Sequence, residues 1–261
     1  MIRSEWADNV LAGKPDTVAG GRFRRMSTQA PKPNSSIAPR AVPLQKTVPE
    51  HLQRLVDALF RFSQGRHAGF AEIVEVADSI LKTPERRSVV QSLLMSEEAL
   101  VRLAEPWFWK LLSRAATEKE MGEFVGSVRS GTPFDAAISR IIGSEQYVER
   151  ARRRGIGGEG EVNLLQSVHI DLLGTLAEER EFSRALKQIR LVGPSRYALE
   201  ILRSVEFRRQ YLVRLHHELL ERTPSEGEMQ GWLKRENLGL DLLQIRGHLL
   251  SGEEFFNRWT Q

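Results

Sequence analysis

LLERTPSEGEMQGW, residues 219–232, says almost what LLSRAATEKEMGEF says at residues 111–124, 108 positions earlier. Leu111-Leu112 returns as Leu219-Leu220, Arg114 as Arg222, Thr117-Glu118 as Ser225-Glu226, Glu120-Met121 as Glu228-Met229 and Phe124 as Trp232. A phrase kept in register over such a distance marks a repeat architecture. In that architecture a unit too small to bury its apolar face alone packs it against its neighbours.

The correspondence extends outward. GSEQYVER from Gly143 is matched by LSGEEFFNR from Leu250, which aligns Ser144 with Ser251. A finer period lies inside it, since Leu172-Leu173 precedes Leu219-Leu220 by 47 residues and Ser204 precedes Ser251 by 47. A weaker unit ends at Ser96 in LLMSEEALVR. Ser96, Ser144, Ser204 and Ser251 each close an apolar run, so the chain reads as four units of about 47 to 50 residues paired into two halves.

Each of these serines is expected to cap a helix N-terminus, its hydroxyl accepting an orphan amide while a first-turn glutamate complements the dipole. Thr117 with Glu120, and Ser225 with Glu228, have the spacing of capping boxes. Met121, Phe124 and Val125, and then Met229, Trp232 and Leu233, follow as anchors on one helix face. Gly131 and Gly239 stand where left-handed C-caps belong. Each unit is therefore expected to hold three short helices.

Helical patterning begins near Pro49, where Leu52, Leu55, Val56, Leu59 and Phe60 fall on one stripe. Almost nothing alternates with period two, so the expected fold is all-α. Residues 1–47 carry Pro15, Pro31, Pro33, Pro39 and Pro43 with little apolar periodicity, the composition of a disordered tail. ARRRGIGGEGE, residues 151–161, places Gly155, Gly157, Gly158 and Gly160 together as a flexible hinge. The expected organisation is a tail at 1–47, a helical pair at 48–154, a hinge at 155–161 and a second pair at 162–261.

Composition bounds the partners. The net charge of +4 sits in residues 1–50, with eight Lys or Arg against four Asp or Glu; the remainder holds 30 of each. Phosphate binding needs a clustered positive face, so nucleic acid is a poor candidate. There is no cysteine, hence no disulfide and no thiolate chemistry. No apolar run reaches the 18 or more residues of a transmembrane span. The first 25 residues lack the apolar region of a secretory signal, and Met26 is an alternative start. Location reads as cytoplasmic by default, with the cell surface or exterior left open.

The run LLxR, a short acidic turn, an aromatic, a Gly-containing loop, an apolar helix and then S-x-E-F/Y-x-x-R resembles DUF4214, a bacterial domain family of unknown function related to the phycobilisome linker domain. The last unit carries the resemblance in Leu219, Leu220, Arg222, Pro224, Trp232, Gly239, Ser251, Glu253 and Phe255. The second carries it in Leu111, Leu112, Arg114, Phe124, Gly131, Ser144 and Tyr147, and the third in Leu172, Leu173, Gly193, Ser204, Glu206 and Phe207. The family's R-x-P-D-x-x-G-L-x-x-W becomes RTPSEGEMQGW, with Ser225 in the acidic position, and the second unit lacks the proline. The resemblance implies non-catalytic helical modules that accompany exported, surface or polysaccharide-handling proteins or hold other proteins together. Without bilin-binding cysteines, no light-harvesting role is expected.

Each motif that could carry chemistry also has a plainer reading. His216-His217-Glu218 is not HExxH, and adjacent histidines point to different helix faces. Glu118/Glu120, Glu178/Glu179/Glu181 and Glu226/Glu228 recur at first-turn positions, which favours capping over a glycosidase pair. Gly155–Gly158 lacks the strand and the G-K-S/T ending of a phosphate loop. Arg150, Arg152, Arg153 and Arg154 fit phosphate or an acidic partner, or simply a solvated helix C-terminus. Trp107, Trp109 and Trp232 read as packing, with an exposed ring serving as an interaction hot spot.

No catalytic, cofactor or metal residue is therefore expected. The expected function is a non-enzymatic scaffold or adaptor that binds a protein partner, in a surface or envelope assembly. The alternative is a carbohydrate-binding or polysaccharide-processing accessory domain, which requires a groove of exposed Trp or Tyr with carboxylates beside it.

Overall fold

A computed structural model describes residues 48–82, 85–156, 158–234 and 239–261; the tail expected at 1–47 lies outside the described residues, as does Gly157 of the expected hinge. Among the described residues thirteen helices follow one another without a strand, so the fold is all-α. They are α1 (Glu50–Ser63), α2 (Phe70–Lys82), α3 (Arg86–Leu94), α4 (Glu97–Leu112), α5 (Glu118–Arg129), α6 (Phe134–Ile142) and α7 (Glu145–Arg153). After a glycine-containing connection come α8 (Glu161–Leu173), α9 (Glu179–Leu202), α10 (Val205–Leu220), α11 (Glu226–Trp232), α12 (Leu242–Leu250) and α13 (Glu253–Thr260). The helices α4, α5, α6 and α7 begin 108 residues before α10, α11, α12 and α13.

Local sequence accounts for most boundaries. Pro49 precedes α1, whose stripe of Leu52, Leu55, Val56, Leu59 and Phe60 is fully buried. Ser96, Ser144 and Ser204 cap α4, α7 and α10, their hydroxyls accepting from Ala99 N, Tyr147 N and Phe207 N at 3.2–3.3 Å. Thr117 and Ser225 form capping boxes with Glu120 and Glu228. Asp241 with Gln244 forms a third, at the start of α12.

One sequence expectation fails here. Ser251 is not an N-cap: it closes α12, and Gly252, one residue later, precedes α13 with no side chain to accept. Aligning serine with serine hid a one-residue shift. The C-cap expected at Gly239 follows residues 235–238, which lie outside the described residues. Gly131 does adopt positive φ, 97°, just past α5.

The left-handed positions that organise the chain are Gly65, Ser113, Gly174 and Glu221, each ending a long helix at φ between 53° and 77°. At Gly65, φ 77°, glycine adopts this conformation without the steric cost that Ser113 and Glu221 bear. Gly193, at φ 79° and ψ 162°, with Pro194 breaks α9 into two helical segments.

One continuous set of buried side chains runs from Leu52 to Phe256. Helix α1 packs on α2 and on α13, α4 on α5 and α6, α7 on α8, α8 and α6 on α9, and α3 on α12. α6 also meets α12. The first and last helices are thus neighbours: Phe62 meets Phe255 edge-on at 5.7 Å, and Arg54 Nη2 donates to Gln261 O at 2.7 Å.

The described residues between 48 and 261 make one compact unit. The connection expected to act as a hinge is bridged by Asn163 Nδ2 donating to Arg152 O at 2.9 Å and Ser167 Oγ donating to Ala151 O at 3.3 Å.

Candidate functional site

The polar residues that recur along the chain converge into three clasps of one design. In each, an arginine directly follows a left-handed helix end. It reaches forward six residues to a glutamate in the next helix, and 32 residues to the start of another. Arg114 donates to Glu120 through Nη1 at 2.8 Å and Nη2 at 2.6 Å, and also to Gln146. Arg222 donates to Glu228 at 3.0 and 2.5 Å and to Glu254 at 2.5 Å through both Nε and Nη2. Arg66 donates to Glu72 at 2.8 and 2.6 Å and to Glu98 at 2.7 and 3.0 Å. A guanidinium matches this two-point geometry and an ammonium does not.

The central glutamate serves two ends at once. Glu120 also accepts from Thr117 N and Oγ1 at 2.8 Å, and Glu228 from Ser225 N and Oγ at 2.7 Å. The arginine, more than any other neighbour, holds the Glu72, Glu120 and Glu228 carboxyls down to about 2. Each arginine is correspondingly pushed above its ordinary value, chiefly by its bonds to those glutamates.

The expected interaction residues scatter. Trp109 is 53% exposed on α4. Trp107 is half-buried against Phe207 at 6.4 Å, with Lys110 Nζ 5.7 Å from its ring centroid. Trp232 is half-buried, edge-on to His248 at 5.8 Å. Arg152 and Arg153 are exposed, Arg153 pairing with Glu149 at 3.3 Å. Arg154 instead turns to Asp171 at 2.6 Å, joined there by Arg150 at 3.1 Å and the Tyr147 hydroxyl at 2.9 Å. Burial first, then the Asp171 charge, raises the Tyr147 hydroxyl far above its ordinary value.

The histidine pair splits as helix geometry requires. His216 is buried with Nδ1 2.8 Å from Leu212 O, His217 is exposed, and Glu218 pairs with buried Arg246 at 3.1 Å. No group of three or more His, Asp or Glu side chains gathers as a metal would need among the described residues.

Two features escaped sequence reasoning. Asp135 is completely buried between Arg203 Nε and Arg208 Nη2, each 3.0 Å away, and Arg208 is itself buried. Burial pushes the Arg208 guanidinium down while Asp135 raises it. Lys110 is lowered to about 8, by burial first and then by the charge of Arg214. Besides these, a cleft of about 370 Å³ opens between α3 and the connections leading into α6 and α12. Arg87, Gln91, Pro133, Asp241 and Gln244 are among its lining residues, and Phe134 N donates to Asp241 Oδ2 at 3.1 Å nearby.

No described helix is long and apolar enough to cross a membrane. Compared with protein-family models, with curated proteins and with solved structures, the chain matches none.

Proposed function

We propose that this chain is a non-enzymatic helical scaffold or adaptor that holds a protein partner, built from four short-helix units paired into two halves in the manner of the DUF4214 and phycobilisome-linker modules. The observation that carries the reading is the engagement of its recurring carboxylates. Glu72, Glu120 and Glu228 are each held at two points by an arginine, and Glu120 and Glu228 cap a helix as well. A general acid or base needs a carboxyl tuned toward neutrality, whereas these three are pushed the other way.

Packing supports the paired halves. α7 lies on α8 as α13 lies on α1, α6 packs on α9 as α12 packs on α3, and α6 and α12 face each other. Among the described residues Trp107, Trp232 and Trp259 pack against the core and Trp109 stands on the outside of α4, which favours the scaffold over the carbohydrate alternative.

The test is affinity capture with the chain as bait, with and without residues 1–47, then reconstitution from purified components. A protein bound in a fixed stoichiometry supports the scaffold. Recovery of glycan or nucleic acid alone contradicts it, as does turnover of any substrate abolished by Glu120→Gln or Glu228→Gln.

A further inference from the structure

The cleft of about 370 Å³ beside α3 belongs to none of the clasps. Its volume falls within the ~300–1,000 Å³ of pockets that take small molecules. The walls are tied together at one end, where Arg87 Nη2 donates to His248 Nε2 and a Cβ on Gly247 would stand 3.3 Å from Leu94 Cδ1. At the other end Asp241 caps α12, seven residues or roughly 10 Å of helix from His248.

The polar atoms that this cleft offers are donors. Arg87 bonds to an imidazole, and among the described residues no carboxylate pairs with it. Burial, and then the charge of Arg87, holds His248 below its ordinary value, so the imidazole accepts without supplying a counter-charge. Gln91 stands one turn along α3 from Arg87 and lines the same cleft. Gln244 spends Oε1 on Asp241 N at 2.8 Å, which leaves its amide NH2 to give. The acid in the wall is already answered: Asp241 Oδ1 accepts from Gln244 N at 2.7 Å and Oδ2 from Phe134 N at 3.1 Å. Much of the remaining lining is apolar, with Leu94, Met95, Val128 and Leu243.

We propose that this cleft binds a small monocarboxylate with an apolar body, its carboxylate on Arg87 and Gln91 and its body over Leu94, Met95 and Leu243. A guanidinium takes a carboxylate at two points, and the apolar lining favours a body that leaves water. A cation would meet only Asp241, whose oxygens already hold two backbone amides. The site neither rests on the scaffold reading nor falls with it.

The probes are 4-phenylbutyrate and octanoate, titrated into the nitrogen-15-labelled full chain and followed by amide shifts, with 4-phenylbutyramide as the uncharged control. Saturable shifts at residues 87–95, Gly131, Thr132 and Gly247 are expected for at least one acid, with affinity about tenfold weaker for the amide because a charge-assisted bond is lost. Arg87→Gln should weaken the acid about tenfold and leave the amide unchanged. Gln91→Trp, which fills the cleft from an exposed position on α3, should abolish binding of both. Circular dichroism of each variant checks that its helices are intact. Failure of both acids to bind, shifts centred elsewhere, an equal response to the amide, or undiminished affinity in either variant overturns the proposal.

Discussion

Arg114 and Glu120 meet as a two-point ion pair, Nη1 to Oε2 at 2.8 Å and Nη2 to Oε1 at 2.6 Å, while Oε2 also accepts from Thr117 N at 2.8 Å. One carboxylate thereby ties a helix start to the end of the preceding helix. Removing it with Glu120→Ala loses both a capping partner and an ion pair, for about 1–2 kcal/mol in all. Arg114→Ala loses the partly exposed pair and the bond to Gln146 but no capping partner, and should cost about 1 kcal/mol. Urea denaturation of both single variants and the double variant checks this. The two effects should fail to add, with a coupling of roughly 0.5–1 kcal/mol.

Acid should loosen the clasps over a defined window. Arginine holds Glu72, Glu120 and Glu228 down to about 2, whereas an unfolded glutamate titrates near ~4.3. A carboxyl depressed on folding stabilises fully above the unfolded value and ceases to as pH falls through the folded one. Tm followed by circular dichroism should therefore drop between pH ~4.5 and ~2, less steeply in high salt because these groups are partly exposed. The chain with Arg66→Gln, Arg114→Gln and Arg222→Gln should start lower and drop less. An equally steep fall in that variant would show that other carboxylates carry the acid response.

What could be read in advance was local. The stripe of Leu52, Leu55, Val56, Leu59 and Phe60, the caps at Ser96, Ser144 and Ser204, and the boxes at Thr117 and Ser225 depend on residues a few positions apart. The clasps span 32 residues and two turns of chain direction, so no helix pattern points to them. Arginine followed six residues later by glutamate, three times over, was the available signal. Ser113 and Glu221 hid their left-handed backbone because neither is glycine. Their spacing of 31 residues to Ser144 and Gly252, matching Gly65 to Ser96, places the last cap at Gly252 and not at Ser251.

Asp135 was equally hidden, since nothing near it in sequence marks it as buried. Its carboxylate faces Arg203 and Arg208, and Arg208 keeps Nε and Nη1 without a hydrogen-bond partner. Asp135→Ala would strand a buried guanidinium and should cost about 3–5 kcal/mol. Replacing both members, Asp135→Leu with Arg208→Met, removes the desolvated charges together and should recover most of that loss. Urea midpoints at unchanged m-value test the pair. A double variant as unstable as Asp135→Ala would mean that packing shape, and not stranded charge, sets the cost.

If the halves are equivalent, the junction between α13 and α1 should tolerate a covalent connection as the junction between α7 and α8 does. Arg54 already touches Gln261 O at 2.7 Å, and Arg54 lies only six residues, roughly 9 Å of helix, from Val48. A linker of about eight residues, flexible and glycine-rich, spans that gap with room to spare. A chain so joined from Gln261 to Val48 and opened between Gly155 and Gly160 keeps every interhelix contact described above. It should show the helical circular dichroism of residues 48–261 and a single cooperative transition, with Tm lowered by a few degrees because the loop being cut no longer restrains the unfolded chain. Two separate transitions, or a chain that does not fold, would mean that α1 and α13 are brought together by the rest of the core and do not form an interface equal to that of α7 and α8.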